Sequence, residues 1–507
     1  MSKAVSSARV VSMDQFRGYT VAGMILVNFI GSFAVIHAVF RHNNTFLSYA
    51  DTIMPGFHFA VGFSYRLTML KRLQEMSWMA VYWSYLKRCF VLMFLSIMLF
   101  GIGEEFKKWE QFEKTPDALL PPKEEPTPLE QLKKGYDEAT KKANEAKGAL
   151  DNREAFEKLS PEEQEKVLAE AKVHHDAEQV KKAAEAVEAA KKRRDSWKDP
   201  AFRKTFFENW RVWIAQELKA GMWETFAIIG ATQLVILPLV ARSFWVRVIA
   251  MFAMGIGHAF LCYWFNWGFI LGYRDNWMVE LWKTGTSGSW DGGFFGPLSW
   301  SVAMLAGTIA YDLVMADTTR QKVALRLGGW GVGLMVLGYL LSCPTRLYDI
   351  GDGTYAPAKD PKNGERALSP VIPSFDSLGH RSVMSLLAEP PFVAPPPASE
   401  RLQNYWMMSK KYPTLSFILS ASGFSFLAYA VFVWLCDVWG LQLGIFRTFG
   451  LNPLLAYCIH EMIAHQLHKI MPRDAPLWYC VGGFILFFWA TYACIRYLEK
   501  RNIFVRL

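Results

Sequence analysis

Long apolar segments separated by short polar ones recur along most of the chain. We predict about ten of them as helices that cross a membrane, because each approaches the roughly 20 apolar residues that span a bilayer. They are residues 18–40, 51–70, 82–103, 218–240, 244–265, 298–315, 328–343, 414–437, 448–468 and 477–496. The pattern therefore predicts an all-α polytopic membrane protein.

Three longer polar segments interrupt this pattern. Residues 104–215 are rich in Ala, Glu and Lys, with apolar residues at helical spacing, which predicts a charged helical insertion. Residues 266–297 interleave aromatic residues with Asp, Asn and Arg, a composition that suits either sugar stacking or an interfacial aromatic belt. Residues 344–413 are rich in Pro and Gly and predict an irregular lid or crossing. The predicted regions are therefore 1–103, 104–215, 216–343, 344–413 and 414–507.

Positive charges in the short loops set the expected orientation. If the spans alternate, Lys71, Arg242, Arg320, Arg447 and the basic C-terminal tail all lie on one side. Short cytoplasmic loops are enriched in Lys and Arg, so this side is predicted to be cytoplasmic. Both termini are then cytoplasmic, the three polar segments are extracytoplasmic, and a bacterial inner membrane is the expected location.

Composition excludes several classes of protein. The 507 residues are 52% hydrophobic, which is too apolar for an ordinary soluble enzyme, and the net charge of +9 is modest for this length. Nucleic-acid binding is not expected, because basic and aromatic residues do not cluster in a soluble domain. The seven cysteines lie in or beside apolar segments without a CxxC pair, so no disulfide framework is predicted.

The first predicted hairpin carries the strongest candidate site. Asn28 falls about 15 Å along the first segment from Gly18, near the middle of a bilayer, where an unpartnered amide is costly. His42 follows this helix, and Asp51 opens the return helix. An imidazole near neutral pH suits a general base, a carboxylate can fix its tautomer, and an amide can hold an oxyanion. The same spacing also fits a proton relay.

Further polar candidates lie in the other apolar segments. His460, Glu461 and His465 have the spacing H-E-x-x-x-H, which puts the two imidazoles about 140° apart on a helix. This spacing does not match a metalloprotease motif, so we predict no metal, and a hydrogen-bonding or gating pair at His460 and Glu461 instead. His258 is a buried polar candidate, and Arg17 is suited to a phosphate or a lipid headgroup.

Several short motifs occur in an order that is typical of one enzyme family. They are Asp14-x-Phe16-Arg17-Gly18, Val27-Asn28 with Gly31, His42, Ala50-Asp51-x-x-x-Pro55-x-Phe57, Ile228–Leu234, Gly293-x-x-Gly296-Pro297-Leu298-Ser299, Pro413–Phe417, and Phe449–Leu454 with His460-Glu461. On these residues the chain resembles the membrane acetyltransferases related to heparan-α-glucosaminide N-acetyltransferase, including bacterial relatives of YeiB-like layout. The resemblance covers most of the apolar part and none of the charged insertion.

The resemblance implies an activity and a set of roles. It implies transfer of acetyl from cytoplasmic acetyl-CoA, as co-substrate, to an extracytoplasmic amino sugar or glycan. His42 matches the active-site histidine and Asn28 the catalytic-core asparagine, while Arg17 and Asp51 lie in the same motifs. The Asn28–His42 separation is longer than in the heparan enzyme, so His37 is a competing assignment. The expected partners are acetyl-CoA, the acceptor and the lipid bilayer, and whether the chain forms a homodimer is left open.

The alternative class is a membrane transporter or channel-like protein for a small solute. In that case Asn28, His258, His460 and Glu461 line a pathway, and no covalent chemistry occurs. The sequence contains no P-loop and no GxSxG motif, so nucleotide-driven transport and serine hydrolysis have no support.

Overall fold

The fold is almost entirely helical. The computed structural model describes residues 10–100, 200–273, 276–284, 288–316, 319–350, 358–360, 364–367, 369–375 and 382–505. The chain divides into two compact units, Met1–Glu105 with Ala215–Leu507, and Phe106–Ile214. The second unit has nearly the limits of the predicted insertion, but only residues 200–214 of it lie in the described ranges. The helical, extracytoplasmic nature of the insertion therefore stays a prediction.

Fourteen α-helices occur in the described residues. They are α1 Val11–Ile30, α2 Tyr49–Glu75, α3 Trp78–Phe100, α4 Pro200–Gln216, α5 Thr225–Val240, α6 Phe244–Leu261, α7 Trp267–Leu271, α8 Trp277–Trp282, α9 Gly296–Met315, α10 Arg320–Ser342, α11 Leu415–Phe432, α12 Gly444–Leu451, α13 Pro453–His468 and α14 Leu477–Lys500. Strands β1 Ala358–Asp360 and β2 Gly364–Arg366 form a small antiparallel hairpin. Wider π-type turns at Glu217–Gly221, Cys262–Asn266 and Val433–Val438 extend three of the helices.

Several helices have the length and composition that a bilayer requires. Within the described ranges six do so, or up to seven if Arg203–Gly221 and Thr225–Val240 are taken together as one span. The six are Trp78–Leu99, Phe244–Leu271, Gly293–Met315, Arg320–Tyr348, Leu415–Val438 and Leu477–Lys500. These apolar helices are consistent with an integral membrane protein. The predicted count of ten is not reached, and α13, with 16 residues, is shorter than a typical bilayer-crossing helix.

The first helix ends ten residues earlier than the sequence predicts. Helix α1 ends at Ile30, and the chain beyond it forms a loop with one 3-10 turn at Ala38–Phe40. The Ser32 hydroxyl donates to the Phe29 carbonyl, a local bond that competes with continuation of the helix. Asn28 therefore lies near the end of α1, about 26 Å from Val11, and its predicted position at mid-helix is wrong.

Two other predicted spans are broken. The segment 448–468 is split between α12 and α13, because Pro453 lacks an N–H and the preceding Asn452 has non-helical angles, φ −129° and ψ 54°. The Asn452 amide donates instead to the Ile503 carbonyl, so the break is tied to the C-terminal segment. The segment 218–240 is interrupted at Met222–Glu224, before α5 begins.

The described parts of the segments 266–297 and 344–413 contain helices and a buried ion pair. Much of the stretch 266–297 is helical, since α7 and α8 lie in it. In the segment 344–413, Arg401 is 1% exposed and its guanidinium donates to both oxygens of Glu389 and to Asp349. A buried guanidinium with its bidentate carboxylate partner holds distant parts of this irregular segment together.

Close contact between α2 and α9 fixes the helix that carries Asp51. A Cβ atom at Gly307 would overlap the Phe59 carbonyl, and one at Gly62 would overlap the Met304 carbonyl. The absence of side chains at these two positions lets the two backbones touch, as small residues do between membrane helices. This contact fixes the position of α2, the helix that carries Asp51, against α9.

We expect Gly307→Ala to destabilise the protein by about 1–3 kcal/mol, because the added methyl group forces α2 and α9 apart. Thermal unfolding in detergent measures the loss. Gly333→Ala is the matched control, since nothing lies within 4 Å of a Cβ placed there on α10. Equal unfolding midpoints for the two variants would contradict the role of this contact.

Candidate functional site

His42 and Asp51 form a hydrogen-bonded pair at the start of α2. Asp51 Oδ1 lies 2.8 Å from His42 Nδ1, and its other oxygen accepts from the Asn43 N–H at 3.0 Å and from the Ser48 hydroxyl at 2.7 Å. The carboxylate is buried, whereas the imidazole side chain is 45% exposed. Since Nδ1–H donates to the carboxylate, Nε2 keeps its lone pair for a substrate. The structure thus brings together the two residues that the sequence proposed as base and orienting group.

Asn28 is held by a histidine from the other end of the chain. Its Nδ2 lies 3.2 Å from His460 Nε2, while His460 Nδ1 lies 2.5 Å from the Tyr457 carbonyl. The carbonyl requires a proton on Nδ1, so Nε2 accepts from the Asn28 amide. Glu461 Oε1 lies 3.3 Å from the same Nε2. His460 therefore accepts from Asn28, and the Glu461 carboxylate is a second acceptor for the same amide.

Two cavities meet at these residues. A long cavity of about 720 Å³ and a short cavity of about 490 Å³ share Val27, Asn28 and His42 in their walls. The short cavity is otherwise lined by Gly31, Ser32, Arg41, Glu461, Ala464, His465 and His468. Asn28 and His42 therefore face both spaces.

The far end of the long cavity is basic. Arg17, Arg72 and Arg88 line it, from three different helices. Arg17 donates to Ser64 at 2.8 Å and to the Gly450 carbonyl at 3.2 Å, and Arg72 donates to Ser84 at 2.9 Å. Arginine is well suited to phosphate, so this end of the cavity suits an anionic group. Arg17 is a predicted site residue whose role stays a prediction, and the other two arginines were not proposed as site residues.

Lys410 is a further polar residue that the sequence analysis missed. It comes from the Pro-rich segment 344–413 and lines the long cavity together with His42. Its ammonium group lies 3.9 Å from Asp291 Oδ1, in the loop before α9. Burial raises the pKa of the Asp291 carboxyl, and the Lys410 ammonium opposes that rise. One cationic side chain thus lies between a buried carboxyl group and the cavity.

Two predicted candidates lie elsewhere. Among the described residues, neither His37 nor His258 lines either cavity. His37 is exposed and caps the short turn at Ala38–Phe40, so the competing assignment loses its geometric basis. His258 is fully buried in α6, where its nearest polar neighbour is the Cys262 thiol at 3.8 Å. In the described part of the chain, no group of three His, Cys, Asp or Glu side chains is arranged to hold a metal ion.

A signal for some of the missed residues was present in the sequence. Arg88 lies inside an apolar segment, and a charged residue in such a position is by itself a sign of a site. Arg72 follows Lys71 at the end of an apolar segment, where a basic residue indicates orientation and not a site. Lys410 had no local signal, because its neighbours form an irregular segment whose course depends on distant contacts.

The whole chain was also compared with known proteins. No protein-family model matches this chain, and no curated protein matches it. The basis for a function is therefore the geometry of the two cavities.

Proposed function

We propose that the protein is a membrane acyltransferase that moves an acetyl group from acetyl-CoA to an amino group of a sugar or glycan. The observation that carries this proposal is the junction of the two cavities at Asn28 and His42, with Asp51 behind the imidazole. Such a junction lets a donor and an acceptor arrive from opposite sides and meet at one base.

The long cavity is the proposed donor site. Arg17, Arg72 and Arg88 would contact the phosphates of CoA, and the thioester would reach Asn28 through the apolar middle of the cavity. A cavity of this size is within the range that holds a cofactor-sized ligand. The short cavity is then the proposed acceptor site.

The reaction follows from the groups at the junction. His42 Nε2 takes a proton from the neutral acceptor amine as the amine nitrogen forms a bond to the thioester carbonyl carbon. The carbonyl oxygen becomes an oxyanion, which the Lys410 ammonium stabilises together with an Asn28 N–H that turns from Glu461. The C–S bond then breaks, the amide product forms, and the CoA thiolate leaves with a proton from the imidazolium. Asp51 holds the imidazole tautomer throughout.

A second route passes through His42 as a transient nucleophile. The same Nε2 lone pair would attack the thioester carbonyl carbon, the C–S bond would break with release of the CoA thiolate, and the imidazole would carry the acetyl group until the acceptor arrives. Incubation with labelled acetyl-CoA alone, followed by acid quench, distinguishes the routes. Label that is bound to the protein and lost in His42→Ala supports the covalent route, and its absence in a competent preparation supports direct transfer.

We also propose the membrane arrangement expected from the sequence. In it, α1, α2 and α13 cross or enter the bilayer with the six longer helices, and both termini are cytoplasmic. The arginine end of the long cavity would then face the cytoplasm and the short cavity the opposite side. The resemblance to the heparan-α-glucosaminide N-acetyltransferase relatives is part of the same proposal.

The decisive experiment offers labelled acetyl-CoA and glucosamine-type acceptors to the purified protein in lipid nanodiscs. The expected result is an N-acetylated product together with release of free CoA thiol. The transporter alternative predicts no product with any acceptor, and flux of solute in sealed vesicles instead. Absence of product from protein that binds CoA would contradict the proposed function.

A further inference from the structure

Gln233 is a buried amide whose side chain has no partner. It is 1% exposed, and neither Nε2 nor Oε1 makes a hydrogen bond within the described part of the chain. An amide buried in this way is costly, because its donor and its acceptor both lose water without a replacement. Gln233 also belongs to the wall of the long cavity. A ligand in that cavity is therefore the available source of partners.

The surroundings of Gln233 in the wall are mostly apolar. Phe226, Ile229 and Gln233 follow each other at intervals of three and four residues, so they share one face of α5 towards the long cavity. Leu92 of α3 lines the cavity as well, and Gly230 packs against that helix. Gln233 is therefore the polar residue beside Phe226 and Ile229 on this face of α5.

The depth of Gln233 lies between the two ends of the cavity. Thr225 accepts a hydrogen bond from Tyr457 near the Asn28 end, and Gln233 follows it by eight residues, or about 12 Å along the helix. On the other side, the Tyr65 hydroxyl donates to the Gln233 backbone carbonyl at 3.5 Å. Arg72 lies seven residues beyond Tyr65, or about 10 Å further towards the basic end.

We propose that Gln233 binds a secondary amide in the flexible arm of the acyl donor. A primary amide side chain offers one donor group and one acceptor, which together complement the C=O and N–H of a secondary amide. The arm of CoA carries secondary amides between its thioester and its phosphates, so this inference rests on the proposed function. The contact would fix how far the thioester reaches towards His42.

The test compares acetyl-CoA with analogues in which one amide of the arm is replaced by a ketone or a methylene chain. For the wild-type protein, removal of the contacted amide is expected to raise KM about tenfold with a smaller change in kcat. Gln233→Leu is expected to raise KM for acetyl-CoA and to abolish the difference between the two donors. If the ratio of the KM values for the analogue and for acetyl-CoA is as large in Gln233→Leu as in wild type, the proposal is overturned.

Thr232→Val is the matched control. Thr232 is also buried with an unpartnered side-chain oxygen, but among the described residues it is not part of the cavity wall. This variant is expected to keep the wild-type ratio between the donors, and loss of the ratio in it would overturn the proposal. In addition, ligand-free Gln233→Leu is expected to unfold at the same or a higher temperature than wild type, since an unsatisfied amide has been removed.

Equilibrium binding separates this inference from the proposed function. Competition between CoA and its amide-replaced analogues measures the ratio of their affinities without any turnover. Binding of CoA without product formation would contradict the proposed function, and a ratio that disappears in Gln233→Leu would still support the amide contact. Failure of CoA to bind the wild-type protein would overturn both.

Discussion

Turnover is expected to fall by about 10³-fold or more in His42→Ala, while the affinity for CoA changes by less than about twofold. His42 Nε2 is the free lone pair at the junction of the cavities, whereas the CoA contacts lie along the long cavity. The variant therefore loses the group that moves the proton and keeps the donor site. Initial rates with labelled acetyl-CoA and equilibrium competition with CoA measure the two quantities.

His37→Ala is the control for this prediction, because His37 is exposed and sits at the short turn before His42. It is expected to keep nearly full activity. A comparable loss in both variants would point to damage of the loop and contradict the role of His42. Asp51→Asn is expected to reduce turnover in the same direction, and the double variant should lose little more than His42→Ala alone, since the two side chains act as one unit.

Asn28→Leu is expected to reduce kcat by about 10²–10³-fold with little change in KM for the donor. The amide lies at the junction, where negative charge forms on the carbonyl oxygen, and leucine has a similar volume without the donor group. Stopped-time assays at saturating acetyl-CoA measure kcat directly. The kcat effect separates Asn28 from a residue that only contributes to binding.

Ser32→Ala provides the comparison for Asn28, since Ser32 lines the short cavity without reaching the long one. It is expected to keep kcat within about threefold of wild type, because loss of one hydroxyl from the proposed acceptor site affects acceptor binding and leaves the groups at the reacting carbonyl in place. His460→Gln is expected to show an intermediate loss, because it positions Asn28 through the 3.2 Å contact. Equal losses in Ser32→Ala and Asn28→Leu would contradict the assignment of the oxyanion donor.

The local part of the site could be predicted from the sequence. His42 and Asp51 are nine residues apart on one helical hairpin, so their pairing depends on a short loop and on the start of one helix. Arg17 lies on the helix that also carries Asn28, and its distance from Asn28 follows from the helical rise. These relations need no information about the rest of the chain.

The remainder of the site depends on contacts that no local pattern contains. The partner of Asn28 is 432 residues away in the sequence, and Lys410 enters from an irregular segment. The predicted helix ends are wrong for a related reason. Hydropathy continues through Ser32 and through Asn452, whereas a side-chain hydrogen bond and a proline end the helices there.

The shared wall of Val27, Asn28 and His42 has an electrical consequence. In the proposed orientation, aqueous solutions approach this wall from both sides, and most of the transmembrane voltage then falls across a few side chains. A proton that binds His42 moves within that concentrated potential drop. Acetylation in energised vesicles would consequently respond to membrane voltage, although neither substrate crosses the bilayer.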